Sequence, residues 1–323
     1  MFMEDNFDFP VDLIYLWVDG NDPLWRAKKN AFISTGTRDT GKDCEGRYVD
    51  NEELKYSLRS VEKFAPWIRK IFIVTDSQTP LWLDIANPKI KIIDHKELLP
   101  EAALPCFNSR IIEHNLFKIK GLAENFLYAN DDMFFGKCVS PNDFFLADGR
   151  PIVRFNRRPM RKLSLWLEKN IIKKKVSNYK RAIQNTAELM EKRYGKYIGH
   201  KTHHNIDAYK KSDYQATYEL FKEDIEPTLI NHLRADNDIQ RNIYSYVPIL
   251  EKRAKVKFVN QKESFRCHID NEGNFLKLEK SNPKFFCLND SEFADDNDRK
   301  RVKEFLEKRF PEKSQFEKNV DGK

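Results

Sequence analysis

The stretch Phe126-Leu-Tyr-Ala-Asn-Asp-Asp-Met-Phe-Phe-Gly136 sets the terms for reading the rest of the chain. Phe126 to Ala129 are apolar, include two aromatics and are too few for a helix, so they read as a short buried strand. Asn130, Asp131 and Asp132 follow at once, then a second apolar run and a glycine. Adjacent carboxylates at a strand end repel each other unless a cation sits between them. The carboxyl ends of strands are where open α/β sheets bind ligands. Mg²⁺ is typically held by one or two carboxylates plus a substrate's phosphates. The competing reading is an Asn-Asp turn whose side chains bond their own backbone.

Working outward, other apolar segments end in polar blocks of the same kind. Asp12 to Gly20 reads as a strand running into the turn Asp19-Gly-Asn-Asp-Pro23. Leu54, Leu58 and Val61 stand at i, i+4 and i+7, the buried face of a helix that Asp50 or Asn51 can cap. Ile71–Thr75 and Ile90–Ile93 are strands. Ile112, Leu116 and Ile119 predict a helix that carries Glu113 and His114. Pro151–Phe155 and Lys255–Val259 add strands, and Phe285 to Asp290 is a short apolar run ending in Asn-Asp, like the first stretch. Strands and helices joined by short links predict a Rossmann-like α/β fold, a mixed sheet flanked by helices. We expect one catalytic domain over 1–323, with a basic helical insertion at about 157–200 and a frayed tail after about 316.

Later segments offer further expectations. Ile183, Ala187, Met190 and Tyr194 mark an amphipathic helix, and Ser212 with Gln215 has the form of a capping box. Arg234 falls just ahead of a helix buried through Ile239, Ile243, Tyr246, Val247 and Leu250. Asp298 is expected to start the last helix. The HxxHH block from His200 to His204 has metal-site arithmetic, but with no H-E-x-x-H pattern and no cysteine close it reads first as a polar loop ahead of a helix, or as a place where a histidine meets phosphate or transfers a proton.

Composition excludes several classes. With 40% hydrophobic and 13% aromatic residues, the 323-residue chain is not a disordered one. No apolar run reaches bilayer length and no secretory pattern opens the sequence, so a cytoplasmic location is expected. Cys44, Cys106, Cys138, Cys267 and Cys287 form no CxxC pair and read as reduced thiols. The net charge of +7 comes from one segment, because 157–181 holds ten Lys or Arg against Glu168 alone. With Leu163, Trp166, Leu167, Ile171 and Ile172 interleaved, that segment suits either peripheral contact with an anionic membrane at the inner face of the cell membrane or a solvated helix face. A nucleic-acid partner is not expected, since the excess is local.

Four blocks, in order, resemble the four conserved regions of the Stealth family of sugar-phosphate transferases. The first is Leu13-Ile-Tyr-Leu-Trp-Val-Asp-Gly-Asn-Asp-Pro23. The second runs from Arg47-Tyr-Val-Asp-Asn-Glu-Glu-Leu-Lys-Tyr-Ser-Leu-Arg-Ser60 through Phe107-Asn-Ser109 and Ile112-Glu-His114 to Asn130-Asp-Asp132 and Phe135-Gly136. The third is His203-His-Asn-Ile-Asp207 with Arg234-Ala-Asp-Asn-Asp238, and the last is Cys287-Leu-Asn-Asp290. Two departures stand out: Asp76-Ser-Gln78 replaces the family's Asn-Gly-Gln, and His114 follows Glu113 where a serine is common. The resemblance implies a GT-A-like sheet and transfer of a hexose-1-phosphate from a nucleotide sugar, UDP being expected, to a hydroxyl of a glycan or lipid-linked oligosaccharide, with release of the nucleoside monophosphate. It carries over Glu113, Asp132, His204 and Arg234 as catalytic positions, His204 being chosen over His203 by its spacing to Ile206-Asp207. The chemistry then suggests Asp131, Asp132 and Asp290 around Mg²⁺ or Mn²⁺. Donor contacts are expected from Asp19, Gly20, Asn21, Asp22, Arg47, Asp50, Asn51 and Arg59. An ordinary metal-dependent glycosyltransferase, or a basic binding module, would be the alternatives.

Overall fold

The apolar run from Val11 to Leu16 shows no alternation because it has strands on both sides and cores on both faces. In the computed structural model, which describes residues 9–34, 48–157, 166–167, 177–291 and 293–319, β1 (Val11–Leu16) pairs in parallel with β2 (Ile71–Thr75) and β4 (Asn125–Asn130). β3 (Ile90–Asp94) extends the sheet past β2. β8 (Asp207–Lys210) closes the other edge antiparallel to β4, giving the order β3-β2-β1-β4-β8. Ile14, Phe72, Val74, Phe126 and Tyr128 face a core shared with helices α3 (Ser109–His114), α5 (Lys211–Leu220) and α6 (Ile243–Leu250). Leu13, Tyr15, Ile71, Ile73, Leu127 and Ala129 face the other, against α2 (Glu53–Phe64). Asp12, fully buried in β1, accepts two bonds from Arg69 at 2.8 and 2.6 Å and one from the Ala123 N–H at 2.6 Å, so no charge is left alone.

This is the α/β architecture expected, but the remaining strands build two small sheets. In one, β10 (Ser264–His268) runs parallel to β11 (Phe285–Asn289), which pairs antiparallel with β5 (Met133–Phe135). It packs through Phe134, Phe286, Val302 and Leu306 against α8 (Asp296–Arg309). In the other, β6 (Ile152–Asn156) lies between β7 (Lys201–Thr202) and β9 (Lys255–Val259).

Several local expectations are revised. The face of α2 is as read, but no side chain caps it: Glu52 is left-handed (φ 64°), and Asp50 Oδ1 accepts from the Glu52 N–H at 3.0 Å. The helix expected through Ile119 stops at His114, where the Asn115 side chain donates back to Ile111 O at 2.8 Å. On α4 (Asn178–Tyr194) Met190 is buried as expected, but Ala182, Gln184 and Thr186 are buried where Ile183 and Ala187 were expected. Ser212 makes no capping box, because its hydroxyl goes to Glu124. α8 starts at Asp296, with Asp295 as its cap and Asp298 as the reciprocal partner. Phe316 is buried and Glu317 bridges to Leu83, so the chain is tied to the body through at least Lys318. Residues 158–165 and 168–176 lie outside the described residues, and the surface-helix reading of 157–181 lies largely there with them. Among the described residues no helix is long and apolar enough to cross a membrane.

Candidate active site

Strand order reverses between β1 and β4, so the loops at their carboxyl ends flank one crevice. The β1 loop is held by Gln78, whose Nε2 donates to Asp19 O and Asp22 Oδ2, both at 2.9 Å, and whose Oε1 accepts from the Asp19 N–H at 3.0 Å. Gly20 is required here because a Cβ would lie 2.3 Å from Tyr48 O. The Asn21 N–H donates to Asp19 Oδ1 at 2.8 Å, and Asp22 Oδ1 accepts from Leu24 N–H at 2.9 Å at the start of α1 (Pro23–Ser34). Asp22 thus serves the turn.

Across from this loop, Asn51 donates from its backbone and its side chain to the Glu53 carboxyl, both at 2.7 Å. Burial pushes the Asp50 carboxyl up to about 6, and the charge of Asp19 adds to it. Burial likewise pushes Glu53 up to about 8, Asp50 adding to it against the Asn51 hydrogen bonds. Asp131 is raised well above the ordinary carboxylate range by burial first, then by Asp132, Glu53 and Asp50. These acids concentrate negative potential that favours protons or a cation.

Asp132 belongs to a different environment. Its Oδ2 accepts a hydrogen bond from Cys287 Sγ at 3.1 Å, while its Oδ1 is buried with no hydrogen-bond partner. The ligand atoms of Asp132, His204 and Cys287 all lie within 4.8 Å of one another. Burial raises the Asp132 carboxyl to about 6, opposed by Cys287 and Arg266 and reinforced by Asp290. Burial and the Asp132 charge also raise the Cys287 thiol well above its ordinary value, so it remains a donor.

The expected three-carboxylate metal set is not assembled as such. Asp290 is engaged by Arg299 Nε at 3.1 Å and by the Ser291 N–H at 2.6 Å. The orphaned Asp132 Oδ1 fits a hard cation that takes its other oxygens from a diphosphate, the usual Mg²⁺ arrangement. The nearby His204 imidazole is a softer donor that could join it, whereas the Cys287 thiol, held protonated, is not a ligand as it stands.

The HxxHH histidines go to separate places. His200 packs edge-on against Phe258 at 4.8 Å. His203 is buried between Ser264 Oγ at 3.0 Å and Asp207 Oδ1 at 3.1 Å, which leaves His204 as the one beside Asp132. Glu113, on α3, lies 2.8 Å from the Tyr128 hydroxyl and 3.3 Å from Arg241 Nε. Arg241 lies 4.0 Å over the Tyr128 ring and donates to Asp207 Oδ2 at 3.0 Å. Burial alone would raise Asp207, but Arg241 and His203 hold it below the usual range.

Arg234 does not precede a helix, since α6 begins at Ile243. Its Nη2 lies 3.4 Å from Ser109 Oγ on α3. Its loop is fixed by Asp238, whose Oδ2 accepts from Arg110 at 2.6 Å, Asn108 at 3.0 Å and the Ala235 N–H at 3.1 Å. Asn178 of α4 donates to Arg234 O at 2.9 Å. Arg59 does not join the crevice: its guanidinium binds the Glu317 carboxylate at 2.7 Å twice and Phe310 O at 2.7 Å. Arg47 lies outside the described residues. Cys287, Arg241 and Arg266 were missed from sequence. A thiol in an apolar strand reads as core and isolated arginines carry no periodic signal, although Cys287 does open the fourth block.

Comparisons with known proteins agree along the chain. Residues 9–36 match Stealth protein conserved region 1, residues 47–153 match conserved region 2, and residues 277–322 match conserved region 4. The chain is 33% identical to the capsular polysaccharide phosphotransferase LcbA of Aeromonas hydrophila, covering 95% of this chain and 86% of that protein. It is 32% identical to the capsular polysaccharide phosphotransferase fcs1 of Haemophilus influenzae, covering 88% and 79%. Against the exopolysaccharide phosphotransferase SCO6023 of Streptomyces coelicolor the identity is 33% over 98% of this chain, which spans 54% of that relative's length. Solved structures with some likeness include galactosyltransferase LgtC, at 12% identity and a TM-score of 0.44 over 92% of this chain and 95% of that one. With three regions matched in order, and with relatives matched along most of their own length, the chain belongs to the Stealth family.

Proposed function

We propose that this protein transfers a sugar-1-phosphate from a nucleotide sugar, UDP-linked by preference, to a hydroxyl of a glycan acceptor in capsule or exopolysaccharide synthesis. The observation that carries this reading is Asp132 Oδ1, a buried carboxylate oxygen without a partner, flanked by His204 at a crevice lined with further acids. In the reaction the acceptor oxygen bonds to the sugar-bearing phosphorus. The bond from that phosphorus to the bridging oxygen breaks, the nucleoside monophosphate leaves, and the hydroxyl proton passes to His204 or Asp132. Such transfer needs mainly positioning and charge stabilisation. Asp132, through its unpartnered Oδ1 and with Asp131 beside it in the chain, would hold Mg²⁺ or Mn²⁺, which would supply positive charge against the diphosphate, while Asp290 stays with Arg299. Glu113 positions Arg241 and Tyr128 at the end of β4, and Arg234 offers a fork for phosphate. The Asp19–Asp22 loop with Asp50 and Asn51 forms the donor side.

Incubation with a panel of nucleotide hexoses, a glycan acceptor and either metal tests this. Monophosphate release with a new phosphodiester in the product is expected. Diphosphate release with a glycosidic product would instead make the protein an ordinary glycosyltransferase and end this reading.

A further inference from the structure

Beside Asp132, and sharing Ser264 and Arg266 with its surroundings, lies a cleft of about 660 Å³ between the ends of β6 and β9 and the start of β10. Its size falls within the range of about 300–1,000 Å³ usual for ligand pockets. Asn156, Arg157, Phe258, Gln261, Ser264 and Arg266 line it, and among the described residues no carboxylate does. Phe258 is 40% exposed, a large fraction for a phenyl ring on a strand, and the Arg157 guanidinium lies 5.1 Å from its centre. Arg266 directs both Nε, at 3.1 Å, and Nη2, at 2.6 Å, to the neutral Asn289 Oδ1. Among the described residues neither Arg157 nor Arg266 has a carboxylate within ion-pair distance. Arg157 is exposed at the cleft, and Arg266, whose charge also bears on Asp132, spends its hydrogen bonds on a neutral amide; such planar forks beside a cavity suit phosphate oxygens. An accessible ring edged by side-chain amides suits the apolar face of a sugar.

The cleft is coupled to the site by position. Arg266 stands opposite Cys287 in the β10–β11 register, and Cys287 donates to Asp132. Ser264, at the cleft wall, bonds His203, the neighbour of His204. The acids of the donor side, Asp50 and Glu53, bear instead on Asp131. Asp132 therefore lies between a donor flank and this basic cleft.

We propose that the cleft is the acceptor subsite, and that it takes an anionic glycan end, one sugar ring on Phe258 and an existing phosphodiester between Arg157 and Arg266. This rests on the transfer reading above. A reaction that makes a phosphodiester turns each product into an acceptor carrying a phosphodiester one unit back, so repeated transfer presents this cleft with that anion.

The test compares two synthetic acceptors of equal length, one with an internal phosphodiester and one neutral, using wild type, Arg157→Ala and Phe258→Ala. The phosphodiester acceptor should bind wild type at least tenfold more tightly in calorimetric titration. Arg157→Ala should raise its KM about tenfold with a much smaller change in donor KM, and should leave the neutral acceptor nearly unaffected. Phe258→Ala should weaken both acceptors. Equal binding of the two acceptors, or an unchanged acceptor KM in Arg157→Ala, overturns the proposal. Titration needs no turnover, so its outcome stands apart from the failure of the transfer reading, which would show as no monophosphate release by wild type with any donor.

Discussion

Neighbouring acids at the end of β4 meet different chemistry. Asp131 faces the acids of α2, while Asp132 takes a thiol hydrogen bond and keeps one buried oxygen without a partner. Replacing Asp132 with Asn keeps the shape and removes the charge. Turnover should fall by at least about a hundredfold, the scale of a lost acid–base group, with an unfolding transition close to wild type. Near-normal monophosphate release from Asp132→Asn would take this residue out of the chemistry. The carboxylate was legible in sequence because a strand followed at once by Asn-Asp-Asp is unusual. Its thiol partner was not, since Cys287 lies 155 residues further on and reads as one more apolar position in a strand.

At the scale of elements, α2 shows how local pattern and tertiary demand divide the work. Leu54, Leu58 and Val61 follow the helical period and pack where that period puts them. The start of the helix obeys the site, because Glu53 is buried among other acids and its carboxyl is pushed up to about 8. An unfolded chain releases this proton near the ordinary glutamate value, whereas the folded protein keeps it until about 8. Stability from this group is therefore full at low pH and falls as pH rises between those values. Thermal denaturation of wild type at pH 5, 6.5 and 8 should show that decline, and Glu53→Gln should make it shallower, leaving the share owed to Asp50, Asp131 and Asp132. An identical slope in the variant would remove Glu53 as its source. Other elements were misread for related reasons: α3 is cut short by the Asn115 side chain, and the buried face of α4 is set by Thr186, whose hydroxyl accepts from the Gln240 N–H at 2.9 Å.

At the scale of the whole molecule, alternation of strands and helices was enough to predict an α/β sheet. Its division into a central sheet and two satellites was not readable, since β5 pairs with β11 and β6 with β9 across long separations that no local pattern encodes. The same holds for Arg59. Its place in a block of polar residues suggests a ligand contact, yet it secures the segment around Glu317. Arg59→Ala should lower stability by about 1–3 kcal/mol, as expected when a buried hydrogen-bonded charge loses its partner, while donor KM stays near wild type. A large rise in donor KM at unchanged stability would restore Arg59 to the substrate.

The partnership of β5 with β11 also bears on how the protein comes into being. The central sheet draws on strands from Val11 to Lys210, all of which leave the ribosome before Phe285 is made. Asp132 receives its thiol neighbour, and the β5 strand its partner, only when the last part of the chain emerges. A chain that stops short of Phe285 has every strand of the central sheet but lacks the partner of β5 and the thiol beside Asp132.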